Sequence, residues 1–255
     1  MISFIISAIK IVVLLGFLIF IHEGGHFLVA KLCKVKVNEF AIGFGPTILK
    51  KQGKETKYAL RLIPLGGFVN MEGEEEASDE EGSFSKASIP KRIAIVVAGA
   101  TVNIIFAIVV YFILAIIFAM QSVNDFQIAI KFAFETTGGF IGGTFEGLGQ
   151  LFTGQIGLDQ MMGPVGISEV VANTSGVFEF FNMMAIISLS LGITNLLPIP
   201  ALDGGKIVLL IIEGIRKKPL KQETEIKIQL IGFCFLIMLS LLVTYKDITK
   251  LFWNI

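Results

Sequence analysis

The sequence predicts an integral membrane protein with an all-α core: four transmembrane helices, with a small cytoplasmic antiparallel β-sheet inserted between the first and the second. Three observations lead there. Apolar residues make up 54% of the 255-residue chain and charged residues only 16%, with a mean hydropathy of +0.78, beyond the usual range of soluble globular chains. Four apolar runs reach or approach the ~20 residues that a helix needs to cross ~30 Å of hydrocarbon. Between the first two runs the pattern changes to short, partly alternating stretches broken by Gly and Pro, which marks strands and turns. Formal charge is zero, so no nucleic-acid partner is expected. Cys33 and Cys234 lie far apart in different segments, which gives no disulfide framework.

Taken in order, the chain reads as a single domain, 1–255. The first span covers about 2–32; its first half carries one charge, Lys10. A cleaved signal peptide is the competing reading, but the start is not basic and no small-x-small site follows, so the run is taken as a retained span. Lys31, Lys34, Lys36, Lys50, Lys51, Lys54, Lys57, Arg61, Lys86, Lys91 and Arg92 place the insertion 33–92 in the cytoplasm by the positive-inside rule. Its strands are expected at 35–42, 47–51, 58–63 and 67–71. The apolar stretch Pro64-Leu65-Gly66-Gly67-Phe68-Val69 is either a packed sheet edge or an edge that pairs with an extended peptide. The acidic run Glu72, Glu74, Glu75, Glu76, Asp79, Glu80, Glu81 reads as a solvated, mobile loop, because like charges at that density repel.

A second span is expected over 93–120, with Thr101 and Asn103 as its polar exceptions; an amide inside a span faces protein or water, not lipid. The connection 121–179 has one basic residue, Lys131, and belongs outside the cytoplasm. Within it, 126–134 and 140–152 suit interfacial helices lying on the membrane. The third span, 180–198, ends at Pro198 and Pro200. Lys206, Arg216, Lys217, Lys218, Lys221 and Lys227 mark a second cytoplasmic connection, and the fourth span covers 228–245. Four crossings leave both termini outside the cytoplasm in a multi-pass protein of the cell membrane.

The chemistry concentrates at His22-Glu23-Gly24-Gly25-His26. Two histidines four apart share one helix face and can bind one metal ion, while the glutamate between them can act as general base on a water. They are the only two histidines in the chain, and at the edge of a span they are costly unless something binds them. A catalytic zinc takes three protein ligands, and topology selects the third. The first and third spans both run outside to inside, so Asp203 arrives at the same cytoplasmic membrane edge. The competing reading of Asp203 is an interfacial cap of the following helix; Cys33 is a further formal candidate, better read as an inert thiol. Glu23 is expected to activate the water and pass its proton to the leaving amine. Asn103 and Asn195 are candidate donors to the substrate backbone or the developing oxyanion, and Asn103 is equally compatible with a bond to a neighbouring helix. Zinc fits the donor set, although cobalt or iron suits it too.

Together with the Ile42-Gly43-Phe44-Gly45-Pro46 turn, Pro64 to Val69, Ala98-Gly99 to Asn103, Gly163-Pro164-Val165-Gly166 and Asn195 to Gly205, the motif resembles the site-2 protease family of intramembrane zinc metalloproteases, particularly its bacterial branch. The resemblance covers nearly the whole chain. It implies regulated intramembrane proteolysis: hydrolysis of peptide bonds within or near the transmembrane segment of single-span membrane proteins, such as anti-sigma factors or signal-peptide remnants, in the lipid bilayer. It further implies zinc at His22, His26 and Asp203, catalysis by Glu23, and strand addition of the unwound substrate along Gly66, Gly67, Phe68, Val69, Asn70 and Met71. Two departures are visible. Bacterial members commonly carry a PDZ domain between the second and third spans, for which 121–179 is too short. Ala100 stands where the family usually has Pro.

Two readings from other classes compete. A catalytically idle membrane adaptor would have lost Glu23 or a ligand, and none is lost. A transporter would carry inverted repeats and more polar residues along its spans, and the sequence has neither.

Overall fold

A computed structural model describes residues 2–74, 76, 78–123, 125–157 and 161–253. The elements are α1 (Ile2–Leu32), β1 (Val37–Gln52), β2 (Lys57–Met71), α2 (Ile89–Ser122), α3 (Phe126–Phe152), α4 (Pro164–Ala172), α5 (Val177–Asn195), α6 (Asp203–Arg216) and α7 (Gln222–Trp253). Four of them, α1, α2, α5 and α7, are long and apolar enough to cross a membrane. They form where the four spans are expected, and α2 and α7 run on past the apolar stretches. Ile9, Val13 and Phe20 on α1, Ile105 and Val109 on α2 and Leu230, Ile231 and Phe235 on α7 are exposed, as lipid-facing side chains are. The chain is a multi-pass membrane protein.

The chain divides into two compact units, 12–103 with 191–234, and 1–11 with 104–190 and 235–255. In the first, β1 and β2 are long, bent strands that fold over each other, so that Phe40 pairs with Val69 on one side and with Tyr58 on the other. The second half of β1 adds a further ladder, Lys50 to Ala59 and Gln52 to Lys57. Gly43 and Gly45, with φ of +87° and +82°, make the bend in β1, conformations that glycine adopts without steric penalty. The expected antiparallel sheet is therefore present, with Gly67–Met71 at one edge. Burial works against the Glu39 charge on β1, but hydrogen bonds from Arg61 and Lys57 outweigh it and hold the carboxyl below its ordinary range. The sheet packs through Val37, Phe40, Val69 and Met71 onto Ala30, Ile95, Val96 and Leu210, burial that at ~25 cal/mol per Å² anchors sheet to helices.

The acidic stretch after β2 differs from a freely solvated loop. Glu74 pairs with Lys206, Glu80 with Lys36, and Glu72 accepts from Asn38, so basic partners from the same unit relieve the repulsion of like charges. Glu75 lies outside the described residues.

In the second unit, α3 is one continuous helix of 27 residues, where two helices were expected over 126–134 and 140–152. Asp125 caps it, its carboxylate accepting from the Gln127 and Ile128 amides. Tyr111 stacks on Phe140 at 4.1 Å and Phe118 on Phe132 at 6.3 Å, so α3 runs back antiparallel along α2. Ala129, Ala133 and Thr137, spaced four apart, form its buried face, and small side chains let the two backbones approach.

Two of the charges on the spanning helices, Lys10 and Asp247, find partners on α4, and Asp247 also pairs with Lys246 beside it at 3.3 Å. Asp247 of α7 is buried, and its Oδ2 accepts from the Gly163 and Gly166 amides at 2.9 and 2.8 Å. Lys10 of α1 donates to the Thr174 and Ala172 carbonyls at the other end. An anion at the N-terminus and a cation at the C-terminus both match the helix dipole, which accounts for the Gly163-Pro164-Val165-Gly166 break. Asp247→Leu is expected to destabilise the protein by about 3 kcal/mol, through two lost charge-assisted hydrogen bonds, and Asp247→Asn by less. A thermal midpoint in detergent unchanged by Asp247→Leu would show that α4 is not held this way.

Candidate metal centre

His22 and His26 stand one turn apart on α1, and four contacts set where their rings point. At Gly25 a Cβ would lie 2.6 Å from the Ala98 carbonyl oxygen, so α1 and α2 cross backbone to backbone. At Gly99 a Cβ would lie 2.3 Å from His26 Nε2. Only glycine leaves room for that imidazole. The His26 Nδ1–H then reaches the Ile95 carbonyl at 2.8 Å, which leaves the lone pair of Nε2 free to ligate. His22 Nδ1 lies 3.4 Å from the fully buried Asn103 amide. The oxygen and nitrogen of that amide exchange places on a half-turn, and with the oxygen facing Nδ1–H it fixes the same tautomer in His22.

The third donor comes from α6. Asp203 is its first residue, and Gly204 and Gly205 tuck the helix under the Leu196, Leu197 and Ile199 carbonyls, where any side chain would collide. Further along, Glu213 accepts hydrogen bonds from both terminal guanidinium nitrogens of Arg92, and Lys206 pairs with Glu74 while lying 5.0 Å from the Phe84 ring. These contacts tie α6 to α2 and to the segment after β2, so the carboxylate is delivered by a fixed element. In the sequence, a helix here entered only with the competing reading of Asp203 as a cap, because α6 lies in a basic connection between spans.

The result is a triangle of donor atoms. His22 Nε2 is 3.2 Å from His26 Nε2, and Asp203 Oδ2 is 3.3 and 3.5 Å from the two nitrogens. Tetrahedral bonds of ~2.0–2.1 Å to one zinc ion would place neighbouring donors roughly 3.3 Å apart. With Nδ1 protonated on each ring, all three atoms present lone pairs to one another, and Asp203 Oδ2 is buried without a hydrogen bond. A cation between them satisfies all three at once. Among the described residues, His22, His26 and Asp203 are the group so disposed.

Glu23 lines a cavity of about 970 Å³ with these three, large enough for several residues of extended peptide. Gly67 to Met71 run along the same cavity. A Cβ at Gly67 would meet Glu23 Cγ at 3.1 Å, so the strand passes directly over the glutamate. Its outer edge pairs with no strand among the described residues. Gly66, with φ of +100°, turns the chain beside Phe44. Asn103 and Asn195 are not among the residues lining the cavity: Asn103 faces His22, and Asn195 ends α5. Gln229, which does line it, was not singled out by the sequence, where it is one polar residue at the start of a span.

The chain is similar to known proteins over most of its length. The model of peptidase family M50 matches residues 10–239. A Clostridium acetobutylicum protein, provisionally named a zinc metalloprotease, is 31% identical, the match covering 91% of this chain and 94% of that one. The Geobacillus kaustophilus zinc metalloprotease RasP is 27% identical over 96% of this chain and 98% of its own. The regulator of sigma-W protease RasP of Bacillus subtilis is 25% identical over 98% of this chain and all of its own, with 421 aligned positions. The relative's alignment thus contains segments that the 255 residues here do not have. The metal-competent triangle, the glutamate beside it and the family match over nine-tenths of the chain lead to one statement: this chain belongs to peptidase family M50, the site-2 proteases.

Proposed function

We propose that the chain is an intramembrane zinc endopeptidase that cuts single-span membrane proteins, with His22, His26 and Asp203 as metal ligands and Glu23 as general base. The observation that carries this reading is the donor triangle with Glu23 on the same cavity wall. When bound, zinc acidifies a water and polarises the scissile carbonyl. Glu23 takes the proton from the attacking water and delivers it to the amide nitrogen that leaves, so that the C–N bond breaks without expelling a free amide anion. Asn103 acts through His22 by fixing its ring.

The substrate lies along Gly67 to Met71. A helical segment has no free backbone groups to offer, so the substrate unwinds and its main chain pairs with the open strand edge. That pairing presents a carbonyl beside Glu23 at membrane depth, where water-filled, protein-lined cavities are tolerated. The basic residues around the sheet and after α6 support a site near the cytoplasmic face, with both termini on the far side. Substrates of anti-sigma-factor or signal-peptide-remnant type fit, as single spans already trimmed on the far side.

Glu23→Gln is expected to lower the cleavage rate of a tagged single-span substrate by roughly 10²–10⁴-fold while about one zinc per chain is retained; full activity in the variant would remove Glu23 from the mechanism. Chelator treatment of wild type should abolish cleavage, and added zinc should restore it; activity that persists in metal-free protein would end the metalloprotease reading. Gly67→Ala pushes a methyl group against the Ala41 carbonyl oxygen and against Glu23 and Ile19, so it shifts the strand relative to the base and should reduce kcat on the order of 10²-fold with zinc content unchanged, as misplacement of a reacting group does. A Gly67→Ala enzyme with wild-type kcat would separate the strand from the base.

A further inference from the structure

We infer that Gln229 is the positioning residue that fixes Asp203 in the donor triangle, an inference that rests on the reading of Asp203 as a metal ligand. The turn from α5 to α6 is largely self-contained. The Ile199 amide donates to the Leu197 carbonyl at 2.7 Å and the Leu202 amide to the Ile199 carbonyl at 3.1 Å, while Pro198 and Pro200 have no amide proton to place. Ala201 is the exception: its amide leaves the turn and donates to the Gln229 side-chain oxygen, 28 residues away on α7.

Ala201 is also where the backbone is least comfortable. Its φ is +73°, a left-handed conformation that a residue with a Cβ adopts only when its surroundings hold it there. Leu202 follows in extended conformation, and the next residue is Asp203, which opens α6. A change of φ at Ala201 therefore swings the start of α6 and carries the Asp203 carboxylate out of the triangle.

The support comes from one face of α7. Gly232, one turn from Gln229, lies so close to Pro200 that a side chain at 232 would collide with the Pro200 carbonyl and ring. The α7 backbone thus seats on Pro200, and Gln229 reaches the following residue. Steric seating by Gly232 sets the distance, and the amide hydrogen bond sets the rotation. Gln229 also lines the cavity, so direct contact with substrate is the rival role. Zinc binding distinguishes the two, since a residue that only touches substrate leaves the metal alone.

The test uses the full chain purified in detergent, with zinc affinity measured by competition against a chromogenic chelator and the visible spectrum of the cobalt-substituted protein recorded beside it. Asp203→Ala is expected to lose the metal. Gln229→Leu is expected to weaken zinc binding by about 10–100-fold and to alter the cobalt spectrum, with the thermal midpoint of the metal-free protein unchanged. Gln229→Glu keeps an acceptor for the Ala201 amide and should return affinity and spectrum to near the wild type. Should Gln229→Leu not be recovered folded, Gln229→Met, of similar reach and without an amide oxygen, carries the comparison. If the variant lacking the acceptor binds zinc as the wild type does, or Gln229→Glu is as weak as it, the positioning role is overturned while the ligand set stands. If Asp203→Ala retains wild-type affinity, the ligand assignment falls and the role of Gln229 with it.

Discussion

Three lone pairs pointed at one another across 3.2–3.5 Å form the constraint on which the rest of the metal-site unit depends. Two imidazole nitrogens and a carboxylate oxygen in so small a space repel unless a cation joins them, and each needs its orientation fixed from behind. The unit supplies those fixings from separate elements. The Ile95 carbonyl and Asn103 on α2 hold the two rings, and the Leu196, Leu197 and Ile199 carbonyls close over the first turn of α6. The glycines at 25, 99, 204 and 205 are places where a ring or a carbonyl occupies the volume of a side chain. They read as packing requirements imposed by the site.

Much of this was legible in the sequence because it follows from parity and period. The four-residue spacing of His22 and His26 puts both on one face, and counting crossings brings Asp203 to the same side without any knowledge of packing. Strands were legible through alternation broken by Gly and Pro, even though two bent strands make the four ladder segments. Helix α4 was not, and the extent of α3 and α6 was missed: α3 was expected as two short helices, and the helix after Asp203 entered only with the competing reading of that residue. Glycine or charge interrupts their apolar positions, and composition cannot distinguish a helix lying on a bilayer from one packed against a neighbour. Asn103 shows the same limit at one residue. Its polarity announced a partner, but the direction of the side chain, toward His22 and away from the cavity, depends on how α1 and α2 cross. Gln229 gave no signal at all, since its role comes from an alanine 28 positions earlier.

The ion partners show how a largely apolar chain carries charge at membrane depth. Lys10 and Asp247 sit inside spans, where an unpaired charge costs at least ~2.5 kcal/mol, and each is placed at the end of α4 whose partial charge opposes its own. Between α2 and α6, Arg92 and Glu213 instead pair side chain to side chain by a two-point contact. Helix ends thus serve as partners for Lys10 and Asp247, with Lys246 adding a side-chain counter-ion to Asp247.

The seating of the His26 ring over Gly99 has a further consequence. The ring fills the gap between the two backbones and its nitrogen engages Ile95, one turn back on α2, so it works as a detent that fixes the sliding register of α1 against α2. A slip of one residue, about 1.5 Å along the axis, would drive the ring into a side chain and pull Nε2 away from its partners. Metal content therefore serves as a gauge of helix register: a preparation that holds its ion has its first two spans correctly meshed, whether or not a substrate is present.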